Sequence, residues 1–302
     1  MKQGVTLSVF SSFLFAALYY YATLLHPLTG VSIFAWRVIL ALPFVALLIS
    51  RSRDWKSVHA VHRRLRSEWR LWLALFVSGV LLGVQLLLFV WAPLHGYGLD
   101  VSMGYFLLPL TMVVVGRVAY GERLTSFQKA AVLMAAVGVA HELLRVGTVS
   151  WPTAVVALGY PPYFMLRRRL RFSSLVGLWF DMLLLLPIAV WLLASADPGV
   201  VAQFASRPTL WVLVPLMGAI SSVALLCYLV ASRRLPLGLF GVLSYVEPVL
   251  LFWVAFLLLG EPVSSQEWFT YLPIWVAVLL LACEGALALG RKEPSRKNAR
   301  TD

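Results

Sequence analysis

The chain has 302 residues, 61% of them hydrophobic and 13% charged, with a mean hydropathy of +0.86 and a net charge of +12. A soluble domain carries roughly 25% charged residues, so a water-soluble globule is excluded and the apolar surface needs lipid to cover it. The positive charges lie in short connectors between apolar runs, which makes them a topology signal rather than a nucleic-acid footprint, and no nucleic-acid partner is expected.

Apolar stretches long enough for a hydrocarbon core of about 30 Å follow one another over residues 4–25, 32–50, 68–92, 99–120, 126–145, 151–166, 173–194, 210–231, 237–259 and 268–289. The expected fold is therefore all-α: a polytopic membrane protein of ten transmembrane helices in contact with the lipid bilayer. The first stretch has no small-residue cleavage site behind a short apolar region, and it reads as a span rather than a removed signal. Residues 51–70 place Trp55, Val58, Val61, Leu65 and Trp69 at steps of three and four among basic residues. That is an amphipathic helical pattern; it fits either a helix lying on an anionic leaflet or a solvated loop. The sixth stretch contains Pro161-Pro162, which is expected to break it. Residues 290–302 form a polar, basic tail.

Counted by connector, 22 Lys and Arg fall on one face of this arrangement and 2, Arg145 and Arg207, on the other, with Arg37 alone inside a span. The positive-inside rule makes the basic face cytoplasmic. Both termini are then cytoplasmic, and the expected location is the inner membrane of a bacterial-type cell.

The chain also repeats itself at an offset of 139 residues. Pro109 matches Pro248, Gly121-Glu122 matches Gly260-Glu261, and Ala92 matches Ala231. Each Gly-Glu precedes a capping-box pattern, Thr125-x-x-Gln128 and Ser264-x-x-Glu267, in which hydroxyl and later side chain satisfy each other's backbone N–H. This divides the chain into a first five-helix repeat (1–148, with the basic loop 51–70), a second (149–289) and the tail 290–302. Five spans per half force the second half to enter from the opposite side. Inverted repeats of this kind characterise secondary transporters, with the substrate site near the midplane between the halves.

Polar groups at membrane depth are costly and mark candidate sites. Glu247, beside Pro248, is the deepest carboxylate; Asp181, Arg37 and Gln85 also lie within spans. Ser102, Tyr105, Ser244 and Tyr245 flank Pro109 and Pro248, which each remove an intrahelical hydrogen bond and are candidate hinges. Together these residues could line a polar cavity for a small-molecule substrate, with Arg37 holding an anionic group and Glu247 or Asp181 accepting a proton. The competing readings are snorkelling of Arg37 and Asp181 to an interface, a structural glutamate, and tyrosines that only pack. No His-Glu-x-x-His occurs, His59 and His62 lack a nearby third ligand, and there is no Gly-x-x-x-x-Gly-Lys loop. No enzyme activity, metal or cofactor is expected, Cys227 and Cys283 read as small buried hydrophobes, and the sequence carries no signal for oligomeric state.

Trp36-Arg37, Trp91-Ala92, Ser102-Met-Gly-Tyr-Phe106, Pro109-Leu110, Gly121-Glu-Arg-Leu124, Gly177-Leu178, Arg233-Arg-Leu-Pro-Leu237, Tyr245, Pro248, Gly260-Glu-Pro262 and Ile274-Trp275 occur in order along nearly the whole chain. In these residues it resembles the RarD group of the EamA, or drug/metabolite transporter, superfamily. The resemblance implies a ten-helix inverted-repeat transporter with cytoplasmic ends, and export of a small metabolite or drug-like molecule. Trp36, Gln85, Leu108, Ser244 and Glu247 depart from the group's pattern, all within the proposed cavity. The reading set against transport is a structural, regulatory or lipid-handling membrane protein.

Overall fold

The computed structural model describes residues 2–94, 97–147, 150–196, 199–258, 265–266 and 268–290, and among these every regular element is helical. In chain order they are α1 (Lys2–Thr23), α2 (Gly30–Ser52), α3 (Trp55–Ser67), α4 (Trp69–Leu94), α5 (Gly98–Tyr120), α6 (Ser126–Val146) and α7 (Trp151–Leu170). There follow α8 (Ser174–Ala194), α9 (Val200–Ser206), α10 (Leu210–Arg234), α11 (Leu237–Leu243), α12 (Val246–Leu258) and α13 (Trp268–Gly290).

Eight segments are long and apolar enough to cross a membrane, the eighth being α11 and α12 taken together as Leu237–Leu258. They do not include α7, whose last turn carries Arg167, Arg168 and Arg169, or α13, whose apolar part is the shorter Trp268–Glu284. Large apolar side chains such as Val118, Leu144 and Leu257 face outward, as a lipid-facing surface requires. The chain is thus a multi-pass membrane protein.

Helix ends follow local chemistry. Thr29 caps α2 by accepting from Ser32 N, and Ser173 caps α8 by accepting from Val176 N. Gly121 ends α5 at φ 63°, a left-handed conformation that glycine adopts without a Cβ penalty. The expected capping box at Thr125 and Gln128 forms, with both reciprocal bonds present. Its counterpart at Ser264 and Glu267, the Gly260-Glu261-Pro262 motif, His95 and the tail from residue 291 lie outside the described residues.

The helices pack into one core. The main pairings are α1 with α10, α2 with α8, α6 with α13, and α5 with both α7 and α11; α4 packs on α7 and α8, α2 on α10, and α1 on α12. The carboxylate of Glu122, just past α5, accepts from Leu237 N (2.7 Å) and Gly238 N (2.8 Å). It thereby satisfies donors at the start of α11 that a helix N-terminus otherwise leaves unpaired.

Three features differ from the sequence expectation. Within residues 51–70, Trp55–Ser67 form a helix, α3, but Val58, Val61 and Leu65 are buried in the protein core, and Trp55 packs edge-on against Trp179 at 5.6 Å. Its apolar face packs into the protein core beside α4, with Trp55 reaching Trp179 of α8, rather than facing a leaflet or water. The span over 237–259 is broken at Ser244-Tyr245, so Pro248 sits in the first turn of α12, where its missing N–H costs little. Pro109, by contrast, lies inside the continuous α5. Finally, α7 runs unbroken through Pro161-Pro162. Proline 161 frees the carbonyl of Ala157, and Thr111 Oγ1 of α5 lies 2.7 Å from that oxygen and 2.8 Å from Leu108 O. Replacing Thr111 by Val is expected to lower stability by about 1 kcal/mol, the scale of a hydrogen bond between membrane helices. An unchanged unfolding midpoint of the purified variant would show that the freed carbonyl needs no partner.

Candidate functional site

Two groups of polar side chains meet in the interior, and they are distinct. The first gathers where α2, α5, α7, α10 and the α11–α12 break converge. Arg37 of α2 donates from Nε to Ser221 Oγ of α10 at 2.8 Å. Its side chain lines a small cavity with Phe34, Leu86, Leu178, Ser222 and Leu225. Glu247 lies within electrostatic reach of Arg37, as do the rings of Tyr105 and Tyr160. The Tyr105 and Tyr160 rings are 6.3 Å apart, and Tyr228 lies within electrostatic reach of Tyr160 and Glu247. Ser244 donates to Phe240 O at 3.0 Å, its local helical carbonyl.

Arg37 and Glu247 form no direct ion pair, and among the described residues the Glu247 carboxylate has no hydrogen-bond partner. Both side chains, like Tyr105, Tyr160, Tyr228 and Ser244, retain partial exposure despite their depth. An unpaired acid and base that stay accessible at membrane depth are the arrangement expected of a wet cavity, since a charge facing lipid or dry protein is strongly disfavoured.

The second group is closed. Asp181 of α8 has no exposure; it accepts from Ser78 Oγ of α4 and Tyr163 Oη of α7, each at 3.1 Å. Arg167 of α7, only 4% exposed, approaches Asp181 Oδ2, the oxygen that accepts from Tyr163, at 3.7 Å and donates to Ser174 O at 3.3 Å. The guanidinium lies across Gly177, where an added Cβ would come within 1.7 Å of it. Arg167 therefore belongs to the core and is not a solvated connector cation, as the run Arg167–Arg169 suggests in the sequence.

The remaining candidates divide between these groups and the packing. Gln85, 1% exposed, donates from Nε2 to Val155 O at 2.8 Å, with its Oε1 buried and unpartnered. Tyr245 is fully buried and donates to Phe106 O of α5 at 2.9 Å, which ties the α11–α12 break to the turn before Pro109. Ser102 is on α5, but its side chain lies outside the described residues. The structure thus gathers Arg37, Tyr105, Ser244 and Glu247, adds Tyr160 and Tyr228, and leaves Asp181, Gln85 and Tyr245 in dry packing. Tyr160 was visible one residue before Pro161-Pro162, and Tyr228 beside Cys227, but nothing in their spacing points inward.

No family model matches the chain. It is 47% identical over 298 residues to the chloramphenicol-sensitive protein RarD of Pseudomonas aeruginosa, covering 97% of this chain and 98% of that one. The chain belongs to the RarD family. An uncharacterized transporter of Haemophilus influenzae is 36% identical over 97% of both chains, and the protein RarD of Salmonella typhi is 30% identical over 96% of this chain and 98% of its own. A solved structure titled only as a crystal structure of a protein superposes with a TM-score of 0.69 over 97% of this chain and all of its own, at 17% identity. That likeness concerns the fold alone. The RarD relatives and the named transporters span essentially the full length of the chain, so the Arg37–Glu247 cluster and the Asp181 network both fall within the shared region.

Proposed function

We propose that this RarD-family chain is a secondary transporter that exports a small metabolite or drug-like molecule by alternating access, with Glu247 carrying the coupling proton. The observation that supports it best is the accessible, unpaired Arg37 and Glu247 at the convergence of helices from both halves. The relatives' names as transporters favour the same reading.

In this reading the chain crosses an inner membrane ten times as two inverted five-helix repeats, 1–148 and 149–289, with both ends cytoplasmic. The eight candidate spans are completed by α7 and α13. The 20 residues of α7 give about 30 Å at 1.5 Å per residue, and its terminal arginines suit the cytoplasmic interface. The helix pairings map onto themselves when the halves are exchanged. The α1–α10 contact corresponds to α7–α4, α5–α7 to α12–α1, and α2–α10 to α8–α4, while α2–α8 and α6–α13 exchange into themselves. The Tyr245–Phe106 hydrogen bond joins residues 139 apart, the repeat offset, as contacts near a two-fold axis do. Reporter fusions at Arg207 and Arg296 are expected to read opposite faces, external and cytoplasmic. The same answer at both sites would remove the ten-span reading. The function itself is tested by a metabolite and antibiotic panel that compares retention in deletion and overexpressing cells. At least one solute is expected to be retained more on deletion and less on overexpression; no difference across the panel would favour a non-transporting role.

A further inference from the structure

Outside the central cluster, one surface pocket of about 410 Å³ opens at the corner where α10 turns into α11, lined by Glu122, Arg168, Arg233, Arg234, Leu235 and Pro236. Three guanidinium groups therefore face one carboxylate. That carboxylate is already engaged by two backbone N–H groups of α11 and by Arg168 Nη1 at 3.6 Å. Arg168 is itself largely used: Nη2 donates to Ser232 O (2.9 Å) and Leu235 O (2.7 Å), and the guanidinium lies over the Tyr120 ring at 5.0 Å. Arg234 donates to the Gln3 side-chain oxygen. Arg233 is exposed and, among the described residues, has neither hydrogen bond nor ion pair. The pocket so holds a surplus of positive charge and unused guanidinium donors, which pair most favourably with a phosphate or carboxylate in a forked geometry.

The position of the pocket narrows the ligand. Two candidate spans end at its rim, Met103–Tyr120 at Tyr120 and Leu210–Arg234 at the Arg233-Arg234 pair. Where hydrocarbon ends, the bilayer presents its phosphates. Leu235 and Pro236 give the pocket an apolar wall beside the arginines, and its size falls in the range of about 300–1,000 Å³ typical of ligand pockets. A diffuse basic surface would have no such wall.

We infer that this pocket is a binding site for the phosphate of an anionic phospholipid headgroup, with Arg233 and Arg234 as the ligand-facing cations and Arg168 as their fixed neighbour. Glu122 and Arg168 hold the end of α10 and the start of α11 to one another, so an occupied pocket braces the corner from which the broken α11–α12 segment carries Glu247.

The test uses the purified full-length protein in neutral detergent, with thermal unfolding followed while phosphatidylglycerol, phosphatidylcholine or inorganic phosphate is added. Phosphatidylglycerol is expected to raise the midpoint in a saturable way, and phosphatidylcholine not to. Arg233→Gln with Arg234→Gln should weaken the apparent phosphatidylglycerol affinity by about tenfold or more, the scale of removing two cations near an anionic interface. The same pair of changes at Arg63 and Arg66, exposed on α3, should leave it within about twofold by the same reasoning. Should the double variant not fold, Arg233→Gln alone, which removes no described partner, is expected to show a smaller loss of the same sign. Equal stabilisation by phosphatidylcholine, equal losses at the two arginine pairs, or no saturable lipid effect would each overturn the site. Inorganic phosphate that matches phosphatidylglycerol would identify a soluble anion instead and would overturn the lipid assignment.

Discussion

Replacing Asp181 by Ala is expected to destabilise the purified protein by about 3–5 kcal/mol, because it leaves the buried Arg167 charge without its counterion. Asp181 and Arg167 are 0% and 4% exposed, so water cannot take over the role of the lost partner. Ser78 and Tyr163 would lose their acceptor in the same step, and the network that ties α4, α7 and α8 together would open. The exposed Arg64–Glu68 pair on the surface supplies the contrast. Its side chains are about half exposed, and Glu68→Ala should cost no more than about 1 kcal/mol. Removing both buried charges, with Asp181→Leu and Arg167→Met, should recover most of the loss, since apolar replacement of a whole buried ion pair is often neutral or stabilising. Denaturation midpoints of the four proteins check this. If Asp181→Ala unfolds within about 1 kcal/mol of the wild type, the pair is not the buried, charged unit described here.

Replacing Glu247 by Gln is expected to leave folding intact and to abolish most proton-driven transport. Glutamine keeps the size and hydrogen-bonding capacity of the side chain but cannot change charge. Glu247 has no hydrogen bond or ion pair among the described residues, so its loss breaks no contact, unlike that of Asp181. A gradient of one pH unit is worth about 1.4 kcal/mol per coupled proton, so accumulation driven by such a gradient should fall by up to about tenfold, while solute exchange without a gradient persists. Both rates are measured in proteoliposomes, with a solute drawn from the retention panel. An unchanged rate and pH dependence would make Glu247 a structural glutamate.

The eight candidate spans were legible because each is a long apolar run between connectors, and backbone in lipid must satisfy its own hydrogen bonds, which favours the helix such a run predicts. The capping box at Thr125 and the glycine stop at Gly121 were readable for similarly local reasons. Contacts between helices were not. Asp181 read as a candidate proton acceptor from its depth alone; its partner Arg167 was hidden in a run of three arginines that looks solvated, and the two meet because the Arg167 side chain, near the end of α7, reaches across Gly177 of α8. The amphipathic period read over residues 51–70 holds from Trp55 to Leu65 but not at Trp69, which is exposed at the start of α4, and the period cannot say whether its apolar face meets lipid, water or, as found, the protein core. The partner of the carbonyl that Pro161 frees in α7 is Thr111, 46 residues away in α5, and the break at Ser244-Tyr245 arises with no glycine or proline at the break itself.

The central claim, solute movement coupled to protons through the midplane cluster, is tested most directly by solute-evoked proton flux. Purified protein is reconstituted into vesicles that hold a pH-sensitive dye, and each solute that cells retain differently on deletion is added from outside. The account predicts a proton movement that requires both protein and solute, is saturable in the solute, and is lost in Glu247→Gln while labelled solute still exchanges. Solute flux in the wild type with no accompanying proton movement, or equal proton movement in Glu247→Gln, would contradict it.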